Sequence, residues 1–250
     1  MDHVQVVGLG MAALDLILRT QDLPTWEGGV RMNAAAIEGG GPVATAMVAV
    51  SRLGVPAGFV GTYGSDRLGQ IKLQTLVENG LDVSRALQRD APEDQAVLVC
   101  VHAETGERVF AGFDHARRSP LAVEELDREY ITGAKFLHLD GYHPDAALQA
   151  ARWMHEAGKQ VMLDGSATRG PLRPQMSALV AEADILICGE GFGPALTGQP
   201  FDTSPENLFQ VGERILELGP RVVVQTQGIE GSYTTAVDAQ GNVSAFHVPA

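Results

Sequence analysis

Short apolar runs punctuated by glycine and proline open the chain. Val4–Val7 reads as a strand ending in Gly8-Leu9-Gly10. Leu14–Leu18 reads as a second strand around Asp15, and Val30–Ile37 alternates weakly, as a third strand would. Val43–Leu53 carries few breakers; Pro42 before it and Gly54 after it are the punctuation of a helix. Phe59–Gly61 is a strand. Ser65 or Asp66 then caps a helix whose apolar residues Leu68, Ile71, Leu73, Leu76 and Val77 keep helical spacing up to Gly80. Ala96–His102 and Glu107–Phe113 form a hairpin around Glu104-Thr105-Gly106.

Beyond that hairpin, strands and helices alternate. Strands are expected at Lys135–Leu139, Val161–Leu163, Asp184–Cys188 and Arg221–Gln225. Helices are expected at Pro144–Ala157, Pro174–Glu182 and from Ser204 to Leu218. The last elements are a hairpin, Ser232–Val237 with Asn242–Val248. Such alternation implies an α/β fold with a parallel sheet and helices on both faces. The segments Leu14–Leu18, Val30–Ile37 and 96–113 break this rhythm and are expected to form a small separate sheet. The 250 residues suit one large domain at roughly 150 residues per domain, and no repeat or linker divides them.

Composition narrows the function. Hydrophobic residues make up 45% and charged residues 20% of the chain, a globular balance. The net charge of −13 argues against coating nucleic acid or anionic membranes, but not against a local site for an anionic small molecule. The chain lacks a run long enough to span a membrane and lacks a signal-peptide pattern, so a cytoplasmic location is expected. The two cysteines, Cys100 and Cys188, lie in apolar runs and read as buried thiols. Glycine is in excess, 29 residues against a usual ~7%. That surplus points to tight turns or to backbone that approaches a ligand.

Four glycine-rich turns carry the candidate chemistry. Gly8-Leu9-Gly10-Met11-Ala12-Ala13 matches a dinucleotide fingerprint, but the β-like run after it does not supply the helix that fingerprint requires. Gly39-Gly40-Gly41-Pro42-Val43-Ala44-Thr45 leads straight into a helix, where free N–H groups can meet a polar or anionic group. Gly61 to Gly69 makes a second strand-to-helix turn, which helix capping alone would explain. Thr226-Gln227-Gly228-Ile229-Glu230-Gly231 follows a buried parallel strand, where nucleotide loops gather in α/β sheets. Asp15 within its apolar stretch needs partners, and sugar hydroxyls would serve; an edge carboxylate facing water is the alternative. The histidines lack the spacing of a catalytic metal site.

Taken together these residues resemble the PfkB (ribokinase-like) family of carbohydrate kinases. Gly8-Leu9-Gly10 with Asp15 resembles its opening strand. Gly40-Gly41-Pro42-Val43-Ala44-Thr45 through Gly54, completed by Gly61, Gly64, Asp66 and Gly69, resembles its first signature. Asp184-Ile185-Leu186, Glu190 and Leu196-Thr197-Gly198 resemble the central segment, and Thr226, Gly228 and Gly231 the nucleotide loop. The wording around Gly39–Ala46, Leu163-Asp164-Gly165 and Thr226-Gln227-Gly228 looks closest to the sulfofructose kinase branch.

The resemblance implies a three-layer α/β/α ribokinase-like fold with a β-sheet lid and ATP-dependent phosphorylation of a sugar hydroxyl. Asp15, Gly40, Gly41 and Thr45 would hold the sugar; Arg31 and Arg108 would offer cationic contacts. Thr226, Gly228 and Gly231 would lie along ATP, and Glu190 would support Mg²⁺. A homodimer through the lid is implied as well. The family's Gly-Ala-Gly-Asp signature, which supplies the catalytic base, is expected beyond Ala250, so a truncated and inactive form is expected. The alternatives are a non-catalytic sugar- or nucleotide-binding relative and a nicotinamide-dependent oxidoreductase.

Overall fold

The computed structural model describes residues 3–112, 120–168 and 170–250. The expected strand end at Phe113 lies outside them. In chain order the elements are β1 (Val6–Leu9), β2 (Ala13–Thr20), β3 (Met32–Gly40), α1 (Pro42–Arg52), β4 (Ala57–Val60), β5 (Thr62–Gly64) and α2 (Arg67–Glu78). There follow β6 (Leu87–Arg89), β7 (Ala96–His102), β8 (Arg108–Gly112), α3 (Arg128–Gly133), β9 (Phe136–Leu139), α4 (Pro144–Glu156), β10 (Gln160–Ser166) and α5 (Pro174–Ala181). The chain finishes with β11 (Ile185–Cys188), α6 (Phe192–Thr197), α7 (Pro205–Leu216), β12 (Val222–Thr226), β13 (Ser232–Val237) and β14 (Val243–Val248). They form two compact units, one of residues 1–10 with 121–250 and one of residues 11–120.

In the larger unit β1, β9, β10, β11 and β12 pair in parallel, neighbour to neighbour. The antiparallel strands β13 and β14 extend the sheet beyond β12. Parallel strands need long return connections, and the helices supply them. Helix α4 packs on β9, β10 and α5. Its buried face is Ala146, Ala147, Ala150, Ala151 and Met154, all at 0% exposure, so small side chains let the helix come close to the strands. Helix α7 lies on β12 and β13. Gly212 makes that approach possible, since a Cβ there would stand 2.9 Å from Thr235 Cβ.

In the second unit β3, β2, β7 and β8 make a four-stranded sheet. Strand β2 pairs antiparallel with β3 and parallel with β7. The segments that broke the α/β rhythm are therefore neighbours in one sheet. A strand follows directly on Gly10, so the helix that a nicotinamide fingerprint requires is absent and the oxidoreductase reading falls. Helix α1 begins at Pro42, as expected, and α2 is capped by Asp66, whose carboxylate accepts from Gly69 N at 3.0 Å. Ser204 precedes α7 but does not cap it; its Oγ bonds Asp202 instead, at 3.0 Å. The short pair β5 and β6 and the helices α3 and α6 have no sequence expectation behind them. Each spans only a few residues, too few for a period to register.

Both cysteines are free and buried. Burial, and secondarily the charge of Asp164, pushes the Cys188 thiol up to about 12. At pH 8 Cys188 is therefore expected to be unreactive toward a thiol reagent while the protein is folded. In a Cys100→Ser variant, native protein should show no fast-reacting thiol and one thiol on unfolding. Stoichiometric labelling of the native variant would contradict this burial.

Candidate functional site

In the second unit the candidate residues converge on Asp15. Strand β2 carries it between Glu38 of β3 and Val97 of β7. Its carboxylate occupies the space that a Cβ at Gly40 would fill, so residue 40 has room only for hydrogen. Asp15 is half-buried, and burial raises its carboxyl above the usual range. Among the described residues none donates a hydrogen bond to it. A desolvated carboxylate without a donor is a costly group, and incoming hydroxyls lower that cost.

Gly41 is fixed for two reasons. Its φ is 94°, and a Cβ would lie 2.7 Å from Met11 O and 2.9 Å from Ala13 N. The helix start is tied to the same turn, because Ala44 N donates to Met11 O at 3.2 Å. The chain itself thus uses one first-turn donor that the sequence pattern leaves open for a ligand. Thr45 stands exposed on that first turn.

Arg31 and Arg108 do not join this corner. Arg108 pairs with Val101, opposite Arg19, and Arg31 precedes Met32, opposite Thr20. At ~3.3 Å per strand residue they sit at least about 13 Å along the sheet from Asp15. Both arginines are exposed, and Arg108 borders a separate cavity of about 150 Å³ with Cys100 and His102. The structure thus does not bring these two arginines beside Asp15, and a strand pattern gives residue order but not which end of the sheet a residue occupies.

In the larger unit a cavity of about 930 Å³ opens beyond β10, β11 and β12, at their carboxyl ends. Its walls include Thr168, Gly189, Glu190, Gly191, Thr226 and Gly228. The glycines let the loops meet closely. A Cβ at Gly189 would stand 2.9 Å from Ala167 Cβ, and one at Gly191, where φ is 80°, would overlap Thr168 O. Gly228 has φ 54° with open space around it and starts a 3-10 turn. Thr226 Oγ1 donates to Cys188 O at 3.3 Å, tying the end of β12 to β11.

Thr226, Gly228 and Glu190 thus share one cavity. Gly231 does not line it. Its φ is 84°, and its Cα faces the backbone of Val248, which leaves no space for a side chain. The end of β14 braces this loop from behind: His247 stacks on Tyr233 at 4.5 Å, and its Nε2 lies 2.6 Å from Glu230 O. Glu190 is the one carboxylate of the described lining. Among the described residues no three His, Cys, Asp or Glu side chains gather as a metal site. His138 on β9 is buried with neither ring nitrogen hydrogen-bonded among the described residues, and burial, opposed by the charge of Asp164, lowers its basicity.

The remaining walls were not legible in the sequence. Ala167, Thr168, Gly170 and Pro171 follow β10, and Gln199 and Phe201 follow α6. Neither loop carries a glycine turn opening a helix. Their position just past the end of a parallel strand was the available signal for the first loop.

The pfkB family carbohydrate kinase model matches residues 1–250. The chain is 30% identical over 187 residues to the ATP-dependent ribose-1-phosphate kinase of Halopiger xanaduensis, covering 75% of this chain and 62% of that protein. It is 26% identical over 214 residues to the 2-dehydro-3-deoxygluconokinase of Bacillus subtilis, covering 80% of this chain and 64% of that one. The chain thus spans less than two thirds of these relatives' length. Its fold is that of Arabidopsis thaliana ribokinase, solved with ribose and ATP, at TM-score 0.79 and 21% identity over 98% of this chain and 78% of that chain. With the family model matching the chain over residues 1–250, the chain belongs to the pfkB family of carbohydrate kinases.

Proposed function

We propose that this protein transfers the terminal phosphoryl group of ATP to a hydroxyl of a sugar or sugar acid. The observation that carries the reading is Asp15, a half-buried carboxylate raised by burial, without a donor among the described residues and pressed against a residue that has room only for hydrogen. Hydroxyl groups are the donors that would satisfy it. Gly40 and Gly41 would present backbone to the same ligand, and Thr45 a hydroxyl.

The glycine-walled cavity suits a nucleotide. Its loops lie at the carboxyl ends of parallel strands, and Gly189, Gly191 and Gly228 leave main chain accessible where side chains would intrude. Thr226 and Gly228 would lie along the phosphates. Glu190 suits magnesium, which takes one or two carboxylates and keeps waters and phosphate oxygens as its other ligands. When bound, ATP supplies the phosphoryl group, and magnesium neutralises charge on its oxygens. The chain's own part is to align the hydroxyl through Asp15 and to hold the phosphates through backbone N–H groups. The hydroxyl's proton needs an acceptor. The family resemblance gives that role to the aspartate of a Gly-Ala-Gly-Asp segment.

The lid sheet further supports a homodimer. Met32 at 56% and Ile37 at 49% on β3 and Val109 at 48% on β8 stand exposed on one face of this sheet, an apolar patch of the kind that marks an interface.

Thermal shift against sugars and sugar acids, with and without ATP and magnesium, tests the reading. A matching ligand at a hundred times its Kd should stabilise by ~2.7 kcal/mol, a Tm rise of roughly 5–10 °C for a chain this size. Asp15→Asn should abolish the sugar shift, keep the ATP shift and leave the unliganded Tm unchanged or higher, because a charge held in a desolvated site is removed. Glu190→Gln should weaken the magnesium dependence of the ATP shift. A sugar shift that survives Asp15→Asn would contradict the assignment. For the dimer, light scattering should read twice the chain mass for wild type and the single mass for Ile37→Asp.

A further inference from the structure

Helix α2 carries a lysine that none of the preceding roles uses. Lys72 and Glu93 have side chains only 1% exposed, and their Nζ and Oε1 are 2.7 Å apart. A charge buried so completely is retained at a cost unless the pair is closely held and its remaining hydrogen-bonding capacity is satisfied. Here it is. Lys72 Nζ also donates to Gln95 Oε1 at 3.3 Å, and Gln95 Nε2 donates to Thr62 Oγ1 at 3.2 Å. Glu93 accepts from Gln95 N at 2.8 Å and from Gly64 N at 2.9 Å.

The segment this network grips is the root of the four-stranded sheet. Gln95 directly precedes β7, and its carbonyl accepts from Leu14 N at 2.9 Å. Leu14 is the residue before Asp15. One helical turn along α2, Thr75 meets the root of β3: a Cβ at Gly39 would stand 2.9 Å from Thr75 Oγ1. Lys72 and Thr75 share a helix face by their spacing of three. That face therefore touches the roots of β7 and β3, and through Gln95 that of β2, which are the strands that bring Asp15 and Gly40 together.

We propose that Lys72 is a positioning residue for the Asp15 corner: through Glu93 and Gln95 it fixes the roots of β2 and β7, and so the place of the Asp15 carboxylate over Gly40. The proposal rests on the sugar-binding reading of that corner for its consequence, but not for its geometry. A core of ordinary apolar packing would hold the sheet's root only by shape. A charged hydrogen-bonded pair fixes it in register and direction, because each bond weakens steeply with angle.

The test uses Lys72→Met alone and Lys72→Met combined with Glu93→Gln. The single variant leaves a buried carboxylate unpaired and is expected to lower Tm. The double variant is neutral and similar in volume, and is expected to regain part of that loss, since the glutamine amide at position 93 keeps one of the two acceptor oxygens that serve Gly64 N and Gln95 N. In the double variant the Kd for the sugar identified by thermal shift should rise about tenfold, while the Kd for ATP stays within twofold. Wild-type sugar affinity in the double variant would overturn the proposal and leave Lys72 a stability residue only, as would equal losses for both ligands. Hydrogen exchange gives a readout independent of any ligand. Amides of Leu14–Leu16 and Leu98 should exchange at least tenfold faster in the double variant, with those of α4 unchanged. If wild type binds no sugar, the reading of the function fails while this exchange still decides the proposal; unchanged protection at Leu14–Leu16 would overturn it.

Discussion

The second unit is organised around a buried charge pair. Lysine is among the residues least often fully buried, and Lys72 is fully buried. Desolvation lowers its basicity, while the neighbouring Glu93 acts in the opposite sense. The carboxylate in turn gathers the amides of Gly64 and Gln95. Gly64 is fixed by the same meeting, since a side chain there would overlap the backbone at Glu93. Asp66, whose side chain caps α2, also accepts from Glu93 N at 3.2 Å. Strand β5, the cap of α2 and the root of β7 are thus joined by one set of hydrogen bonds. Such a pair contributes little net stability, because the cost of desolvation offsets most of the attraction. Its consequence is geometric.

The larger unit reaches its geometry by a different route. Parallel strands point their carboxyl ends one way, and every loop that leaves them opens on the same edge. The edge beyond β10, β11 and β12 is therefore where a cavity forms. Glycines at 189, 191 and 228 and the short Thr226 side chain keep it open. The fully buried residues on either side of that edge, Leu163, Leu186 and Val223, hold the strands in place without reaching the site.

Much of this was legible in the sequence, and for identifiable reasons. Helices α1, α2 and α4 have proline or a side-chain cap at their start and glycine just past their end, so their limits follow from backbone chemistry. The hairpin at Glu104–Gly106 has Gly106 at φ 73°, a conformation that glycine adopts without strain. The unusual setting of Asp15 was legible because a carboxylate within an apolar run needs a reason. The distance of Arg31 and Arg108 from Asp15 was not legible, since exposed cations in strands carry no sign of which end of a sheet they occupy. The loops after β10 and α6 were missed because their place on the cavity comes from strand order alone.

The sequence by itself determined the class of fold, the run of strands and helices, and the glycines at which backbone must come close. Those features depend on local periodicity and on φ, which neighbouring residues control. The tertiary structure alone decided that Gly40 faces Asp15, that Glu190 shares a cavity with Thr226 across 36 positions of chain, and that Lys72 is buried against Glu93. Nothing local distinguishes Lys72 from a solvated helix lysine. Its role arises only when folding brings residues 62 to 95 around it and removes the water that would otherwise hydrate its charge.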